Sequence, residues 1–162
     1  MQHLNFKTVV EPLVIKKIRN PLTGKAKKVT EKEIALIDEW IQLVGSVRDS
    51  VWYSVRDSVG DSVEASVWDS VWNSVCASVW NSVWTLVCAS VGASVWGSVG
   101  DSVWDSVKAY ISSFFKIKYE HDLSSVIKLW NSGFVTSFDG KKWRLHSGKK
   151  AEVVYEKGVV ND

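Results

Sequence analysis

Hydrophobic positions in the central part of the chain follow a strict period of four residues. From Ser46 to Ala109 the sequence reads as sixteen consecutive tetrads of the form Ser-Val-x-x, and the second position is Val in every one. The first position is Ser in all tetrads but one, which has Leu86. The third varies from Arg to Trp to Gly, and the fourth is mostly small or turn-forming. Such regularity reflects the architecture of a chain, so it is interpreted before anything else.

A period of four fits poorly with one straight α-helix. Each helical residue turns the chain by about 100°, so a Val every four residues drifts by about 40° per tetrad and leaves no fixed apolar stripe. Ser, Val, Trp, Asp, Asn and Gly are also mediocre or poor helix formers. Val suits a pleated strand, and Asp, Asn, Gly and Ser suit turns. The tetrads therefore predict a β-solenoid in which each tetrad forms one short side and a corner.

Residue columns favour three sides per coil. A 12-residue period aligns Cys76 with Cys88 and Trp72 with Trp84, whereas a 16-residue period mixes residue types more freely. The predicted fold is mainly β, with a central β-solenoid and small α+β caps. The favoured coil is a triangle of 12 residues, and a four-sided coil stays open as the alternative.

Each tetrad has a core position and an outward position. The invariant Val is expected to fill the interior, and the variable third position is expected to point outward. Seven Trp residues occupy the third position and would stack as ladders on the outer faces. They are Trp52, Trp68, Trp72, Trp80, Trp84, Trp96 and Trp104. A monomer rarely exposes so much contiguous aromatic surface, so these ladders are the predicted surface for self-association or for a protein partner.

The array resembles the short-repeat β-solenoids, in particular the pentapeptide-repeat proteins, over residues 46–109. It also resembles Ser-Val-x-x arrays of uncharacterised phage and metagenomic proteins. The repeat here has four residues, and Val replaces the Leu or Phe core of that family. The resemblance implies a coiled rod and, for an acidic rod, mimicry of duplex DNA.

Residues 1–45 predict an N-terminal cap on the solenoid. Residues 6–15 predict a strand interrupted at Pro12. Thr30 followed by Glu33 is a capping box, which predicts a helix that ends at Gly45.

Residues 110–162 predict a C-terminal cap. Its first ten residues predict a last coil or strand, and Asp122 begins a short helix that closes at Gly133. The pair Asp139-Gly140 predicts a two-residue hairpin turn, and residues 151–155 predict a further strand. Capping units hide the open sheet edges of a solenoid.

Composition narrows the classes of protein. The 162 residues carry 20 Lys and Arg against 18 Asp and Glu, and a net charge of +2 gives no general case for nucleic-acid or membrane binding. There is no apolar run of about 18 residues and no signal peptide, which predicts a cytoplasmic protein without membrane contact. Two Cys do not make a disulfide framework.

Charge is distributed unevenly along the chain. The repeat holds seven acids and three bases, a net charge of −4, and each flank has a net charge of +3. An acidic rod with basic ends suits association between copies. A basic group in the C-terminal flank is the candidate contact for nucleic acid, which is the less favoured partner. Its members are Lys141, Lys142, Trp143, Arg144, Lys149 and Lys150.

No catalytic constellation stands out. His3, His121 and His146 lie far apart without partners at metal-ligand spacing, and the regularity of the Ser residues marks them as structural. We expect no enzymatic activity, no metal and no cofactor. Three classes of function follow: a structural or interaction protein that forms a homo-oligomer or binds a protein partner, a binding module for a repetitive ligand such as a glycan or nucleic acid, and an acidic-rod inhibitor or DNA mimic.

Overall fold

The repeat folds into helices. A computed structural model describes residues 17–62, 65–92 and 96–159, and most of these residues are helical, with one small antiparallel sheet. The helices of the repeat are α1 (Glu31–Ser62), α2 (Ala65–Val75), a π turn (Cys76–Trp80), α3 (Asn81–Val91) and α4 (Trp96–Ser112). The predicted β-solenoid, triangular or four-sided, is therefore wrong, and so is the resemblance to pentapeptide-repeat proteins.

Interruptions in the helices offset the angular drift that weighed against a helix. In an unbroken α-helix the Val row would turn by about 200° between Val67 and Val87 and leave the core. All six Val in that stretch are nonetheless buried. In the π turn, each backbone hydrogen bond spans five residues rather than four, so each residue rotates the chain by less than it does in an α-helix. Four residues there make less than one complete turn, and the Val row rotates in the direction opposite to its drift. Gly92, with φ 97°, then ends α3.

Repeat Ser side chains support the helices rather than the corners of a coil. Their hydroxyls donate to carbonyl oxygens three or four residues earlier, as from Ser74 to Ser70 at 2.7 Å and from Ser102 to Val99 at 2.9 Å. Each such bond gives the hydroxyl a partner inside the helix. The Val residues supply the packing: eleven of the repeat Val are buried, which confirms the predicted core position, and Val91 is half-buried. Packing of this kind outweighs intrinsic helix propensity.

The start of α1 is as predicted, but its end is not. The backbone N–H of Thr30 donates to Glu33 Oε2 at 3.0 Å, which confirms the capping box. The hydrogen bond from the Thr30 side chain lowers the pKa of the Glu33 carboxyl. The helix passes through Gly45 and the first four tetrads to Ser62, so the predicted end is wrong. The strand predicted at residues 6–15 lies outside the described residues.

The C-terminal part largely follows its prediction. It consists of α5 (Ser124–Ser132) and an antiparallel sheet of β1 (Phe134–Phe138), β2 (Lys142–Ser147) and β3 (Glu152–Gly158), in the order β1-β2-β3. Asp122 accepts a hydrogen bond from the Ser124 N–H at 2.9 Å, and Gly133, with φ 93°, ends α5 as predicted. The hairpin turn contains the predicted Asp-Gly pair, but it spans three residues, 139–141, so the predicted two-residue turn is one residue too short. The coil or strand predicted from residue 110 is wrong at its start, since α4 continues to Ser112.

The repeat helices and the C-terminal part share one core. α4 packs against β1, α3 and α5, and α5 also packs against α1. Tyr110 of α4 stacks on Trp130 of α5, with ring centroids 4.9 Å apart. The β2–β3 turn approaches the segment before α1 so closely that a Cβ on Gly148 would lie 2.5 Å from the Ala26 nitrogen.

Continuous helix from Val67 to Val91 has the length and composition of a membrane span. It has 25 residues and a mean hydropathy of 1.3, and it is the one such stretch within residues 17–62, 65–92 and 96–159. Its Val row is buried against the rest of the fold, and 28% of its 18-residue apolar window is buried.

Candidate functional site

Five of the predicted Trp residues form one connected group on the repeat helices. We call Trp68, Trp72, Trp80, Trp84 and Trp104 the Trp cluster. Ring centroids lie 5.4 Å apart for Trp68 and Trp72, 4.9 Å for Trp72 and Trp104, 4.2 Å for Trp80 and Trp104, and 6.0 Å for Trp80 and Trp84. Trp104 of α4 therefore connects the rings of α2 to those at the end of the π turn and in α3. The side chains of Trp52 and Trp96 lie outside the described part of the chain.

Rings of the Trp cluster meet through neighbours on one helix and through contacts between helices, not through stacked coils. Trp68 and Trp72 are four residues apart on one helix, where side chains share a face. The 12-residue ladder predicted for Trp72 with Trp84 is wrong, because those residues lie on α2 and α3 along one helical axis. The cluster is half-buried and packs against the Val core. Gly100 makes room for it, since a Cβ there would lie 2.9 Å from Trp84 Nε1.

Charges border the Trp cluster at one end. Lys108 Nζ lies 6.0 Å from the centroid of the Trp104 ring and 3.5 Å from Asp105 Oδ1. This placement allows a cation–π attraction within a local ion pair.

The two cysteines of the chain are both free thiols. Cys88 is buried and Cys76 half-buried, and burial raises the pKa of both thiols, which keeps them protonated at neutral pH.

The predicted basic group is not assembled into one exposed surface. Trp143 is buried and stacks on Phe138 at 4.8 Å between centroids, and Arg144 forms ion pairs with Asp139 at 2.6 Å and Glu156 at 2.7 Å. The hydrogen bond from Arg144 also lowers the pKa of the Glu156 carboxyl. The four lysines of the group are exposed: Lys141, Lys142, Lys149 and Lys150.

His146 holds a buried polar network that the sequence pattern did not reveal. Its Nε2 lies 2.7 Å from Ser137 Oγ, and its Nδ1 lies 2.9 Å from the Ala151 carbonyl and 3.1 Å from Ser90 Oγ. Burial lowers the pKa of His146 to about 4, so the imidazole is neutral at physiological pH. The network joins α3 to β1 and to the β2–β3 turn. Every residue of β2 from Trp143 to Ser147 is buried, so no local signal sets the histidine apart from its neighbours.

A cavity of about 410 Å³ lies between the end of α4 and the start of α5. Its walls include Phe115, Tyr119, Glu120, His121 and Asp122. The sequence predicted only secondary structure for this segment and no functional site, because its residues match no known motif. Among the described residues there is no group of three His, Cys, Asp or Glu side chains that could hold a metal ion.

Comparison of the chain with known proteins gave no matching family model, curated protein or solved structure.

Proposed function

We propose that this protein is a non-enzymatic structural or interaction protein of the cytoplasm that self-associates through the Trp cluster. The observation that carries the proposal is the connected group of five half-buried indole rings on α2, the π turn, α3 and α4. Trp is among the residues most enriched at the centres of protein interfaces, since it offers a large apolar surface and a hydrogen-bond donor.

Charge favours a second copy of the chain as the occupant of this surface. The repeat has a net charge of −4 and each flank a net charge of +3, so the repeat of one copy attracts a flank of another. Exposed lysines at residues 141, 142, 149 and 150 supply part of the positive charge of the C-terminal flank. A different protein with a basic, aromatic-binding surface is the alternative occupant.

Variants of the Trp cluster test the proposal through the oligomeric state. Size-exclusion chromatography with light scattering is expected to give a dimer or larger species for the wild type. Trp84→Ala is expected to raise the dissociation constant by about thirtyfold or more, as loss of an interface hot spot does. The matched control is Tyr53→Ala, which removes an aromatic ring that is 56% exposed and lies outside the cluster. A monomeric wild type, or equal weakening by both variants, would contradict the proposal.

The other two classes of function were inferred from a β-solenoid, so the helical fold gives no reason to favour them over self-association. Recognition of a repetitive glycan or nucleic acid depended on aromatic ladders at the spacing of stacked strands. Inhibition by mimicry of duplex DNA depended on a regular coiled rod. The helices of the repeat provide neither feature in the described residues.

A further inference from the structure

Lysines from both flanks of the repeat come together on the surface. The backbone N–H of Lys149 donates to the Gly24 carbonyl at 3.0 Å, and the N–H of Lys27 donates to Ser147 Oγ at 3.2 Å. These bonds hold the segment before α1 against the β2–β3 turn, although Lys27 and Ser147 lie 120 residues apart in sequence. Four exposed lysines of these two loops form what we call the basic patch: Lys25, Lys28, Lys149 and Lys150.

The basic patch is not neutralised within the described part of the protein. None of its four lysines forms an ion pair there, whereas Lys142 of the sheet does. Lys27 is exposed as well, but its Nζ donates to the Ser132 carbonyl at the end of α5. The two loops carry five Lys, and with the flanking Glu31 and Glu152 their net charge is +3. Like charges held this close repel one another, so a negatively charged partner would stabilise the arrangement.

An acidic part of the repeat lies toward the other end of α1 and in α2. Residues 56–69 include four Asp or Glu and one Arg, a net charge of −3. Three of these acids are exposed, and we call them the acidic stretch: Asp57, Asp61 and Asp69. Arg56 lies 4.0 Å from Asp57 and offsets only part of the negative charge. Asp69 directly follows Trp68, so the acidic stretch borders the Trp cluster.

The length of α1 keeps these two charged surfaces apart within one copy. The basic patch adjoins the start of α1 at Glu31, and Asp57 and Asp61 lie in the last turns of the same helix. At about 1.5 Å per residue, the two Asp residues lie roughly 40 Å or more from the start of the helix. This distance is several times the Debye length of about 8 Å at physiological ionic strength, so attraction within one copy is screened. A second copy can bring the opposite charges into contact.

We propose that the basic patch binds the acidic stretch of a second copy of this chain in a head-to-tail contact. The proposal rests on the proposed self-association and specifies its direction, because the Trp cluster then faces the basic patch of the next copy and not a second Trp cluster. Lysine ammonium groups are attracted to indole faces as well as to carboxylates, so both features of the repeat suit the same patch. A contact between two different surfaces produces rings or open chains.

Two charge-reversed variants test the contact by light scattering on the full-length protein. Lys149→Glu/Lys150→Glu makes the basic patch acidic, and Asp57→Lys/Asp61→Lys makes the acidic stretch basic. Each variant is expected to raise the dissociation constant at least about tenfold. An equimolar mixture of the two is expected to associate again, because the intact patch of one variant meets the intact stretch of the other. Recovery in the mixture also shows that both variants are folded.

The matched control is Lys128→Glu/Lys141→Glu, which makes the same change of charge at exposed lysines outside the basic patch. It is expected to keep the association of the wild type. Equal weakening by this control, or no recovery in the mixture, would overturn the proposal.

Comparison with Trp84→Ala separates this contact from the proposed function. Weakening by Trp84→Ala but not by the charge-reversed variants would overturn the head-to-tail contact and leave self-association through the Trp cluster intact. The reverse result would overturn the role of the Trp cluster and support the contact. A monomeric wild type would overturn both, and tight binding of a duplex DNA probe by that monomer would assign the basic patch to nucleic acid.

Discussion

The repeat and the C-terminal part both form a buried apolar core, but the first does so with a regular sequence and the second with a varied one. In the repeat, one residue type fills the core at one spacing, and its buried surface is a row of Val. In the C-terminal part, the core combines Trp130, Leu129 and Leu145 with the buried His146 network, and no two positions are equivalent. Both parts bury their apolar side chains, but the secondary structure was predicted correctly only in the C-terminal part, from Asp122 onwards.

This difference shows that regularity carries less structural information than variety. A Val every four residues is compatible with one side of a β-solenoid, and also with a helix whose angular drift is offset by interruptions. Because all tetrads are alike, further tetrads do not help to choose between these two structures. In the C-terminal part, a capping Asp, a closing Gly and an Asp-Gly turn each restrict the backbone independently. Independent local signals that agree specify a fold better than one signal repeated.

The largest expected effect comes from a comparison of two Trp residues, one in the C-terminal part of the core and one in the Trp cluster. Trp130 is fully buried, stacks on Tyr110 and donates from Nε1 to the Arg19 carbonyl at 3.0 Å. Trp130→Ala is expected to lower the free energy of unfolding by about 3–5 kcal/mol. Trp84→Ala, in the half-buried Trp cluster, is expected to cost clearly less, as measured by urea denaturation. Equal losses would mean that the Trp cluster is as much a core as the C-terminal part.

Acid is expected to lower the stability of the fold through His146 in the C-terminal part. His146 has a folded pKa of about 4 against about 6.5 when unfolded, so its contribution is fully present above pH 7 and declines as the pH falls below 6.5. The loss reaches about 3 kcal/mol near pH 4. Burial causes most of this shift, and Arg144 adds to it while Glu156 opposes it.

A pH series of urea denaturation checks this expectation. His146→Gln is expected to flatten the dependence of stability on pH between 6.5 and 4, although it lowers stability at pH 7. A wild-type stability that is constant over that pH interval would contradict the buried neutral imidazole.

The smallest expected effect distinguishes a helical repeat from a solenoid. Asn73 is exposed in α2, and Asn73→Ala is expected to raise the free energy of unfolding by about 0.5 kcal/mol, because Ala is the better helix former. In a β-solenoid the same residue would sit at a corner, and its replacement would destabilise. Asn131→Ala in α5 is the matched control, since that segment was predicted to be helical from the start. Urea denaturation with circular dichroism measures both variants.

Features set by neighbouring residues, such as helix ends and turns, were predictable from the sequence. Features set by contacts between distant parts of the chain were not. Thr30 with Glu33, Gly133 and the Asp139-Gly140 turn are each fixed by neighbours within a few residues. The π turn at Cys76–Trp80 depends on the tertiary requirement that the Val row keep facing the core, which no tetrad encodes alone. Five of the seven predicted Trp residues form one group, and their contacts depend on how α2, the π turn, α3 and α4 meet. The cavity combines α4, α5 and an irregular loop, so it has no sequence signature.

The π turn restricts how the number of repeats can change. A stacked solenoid gains or loses a coil without disturbing the others, because each coil contacts only its neighbours. Here, deletion of one tetrad from α3 would preserve the reading of the repeat, but it would shorten the helix by about 6 Å and turn everything after it by about 40°. Trp84 would then no longer face Gly100, and His146 would lose Ser90. The array is therefore repetitive in its sequence, but in the structure a tetrad of α3 cannot be removed without disturbing contacts elsewhere in the fold.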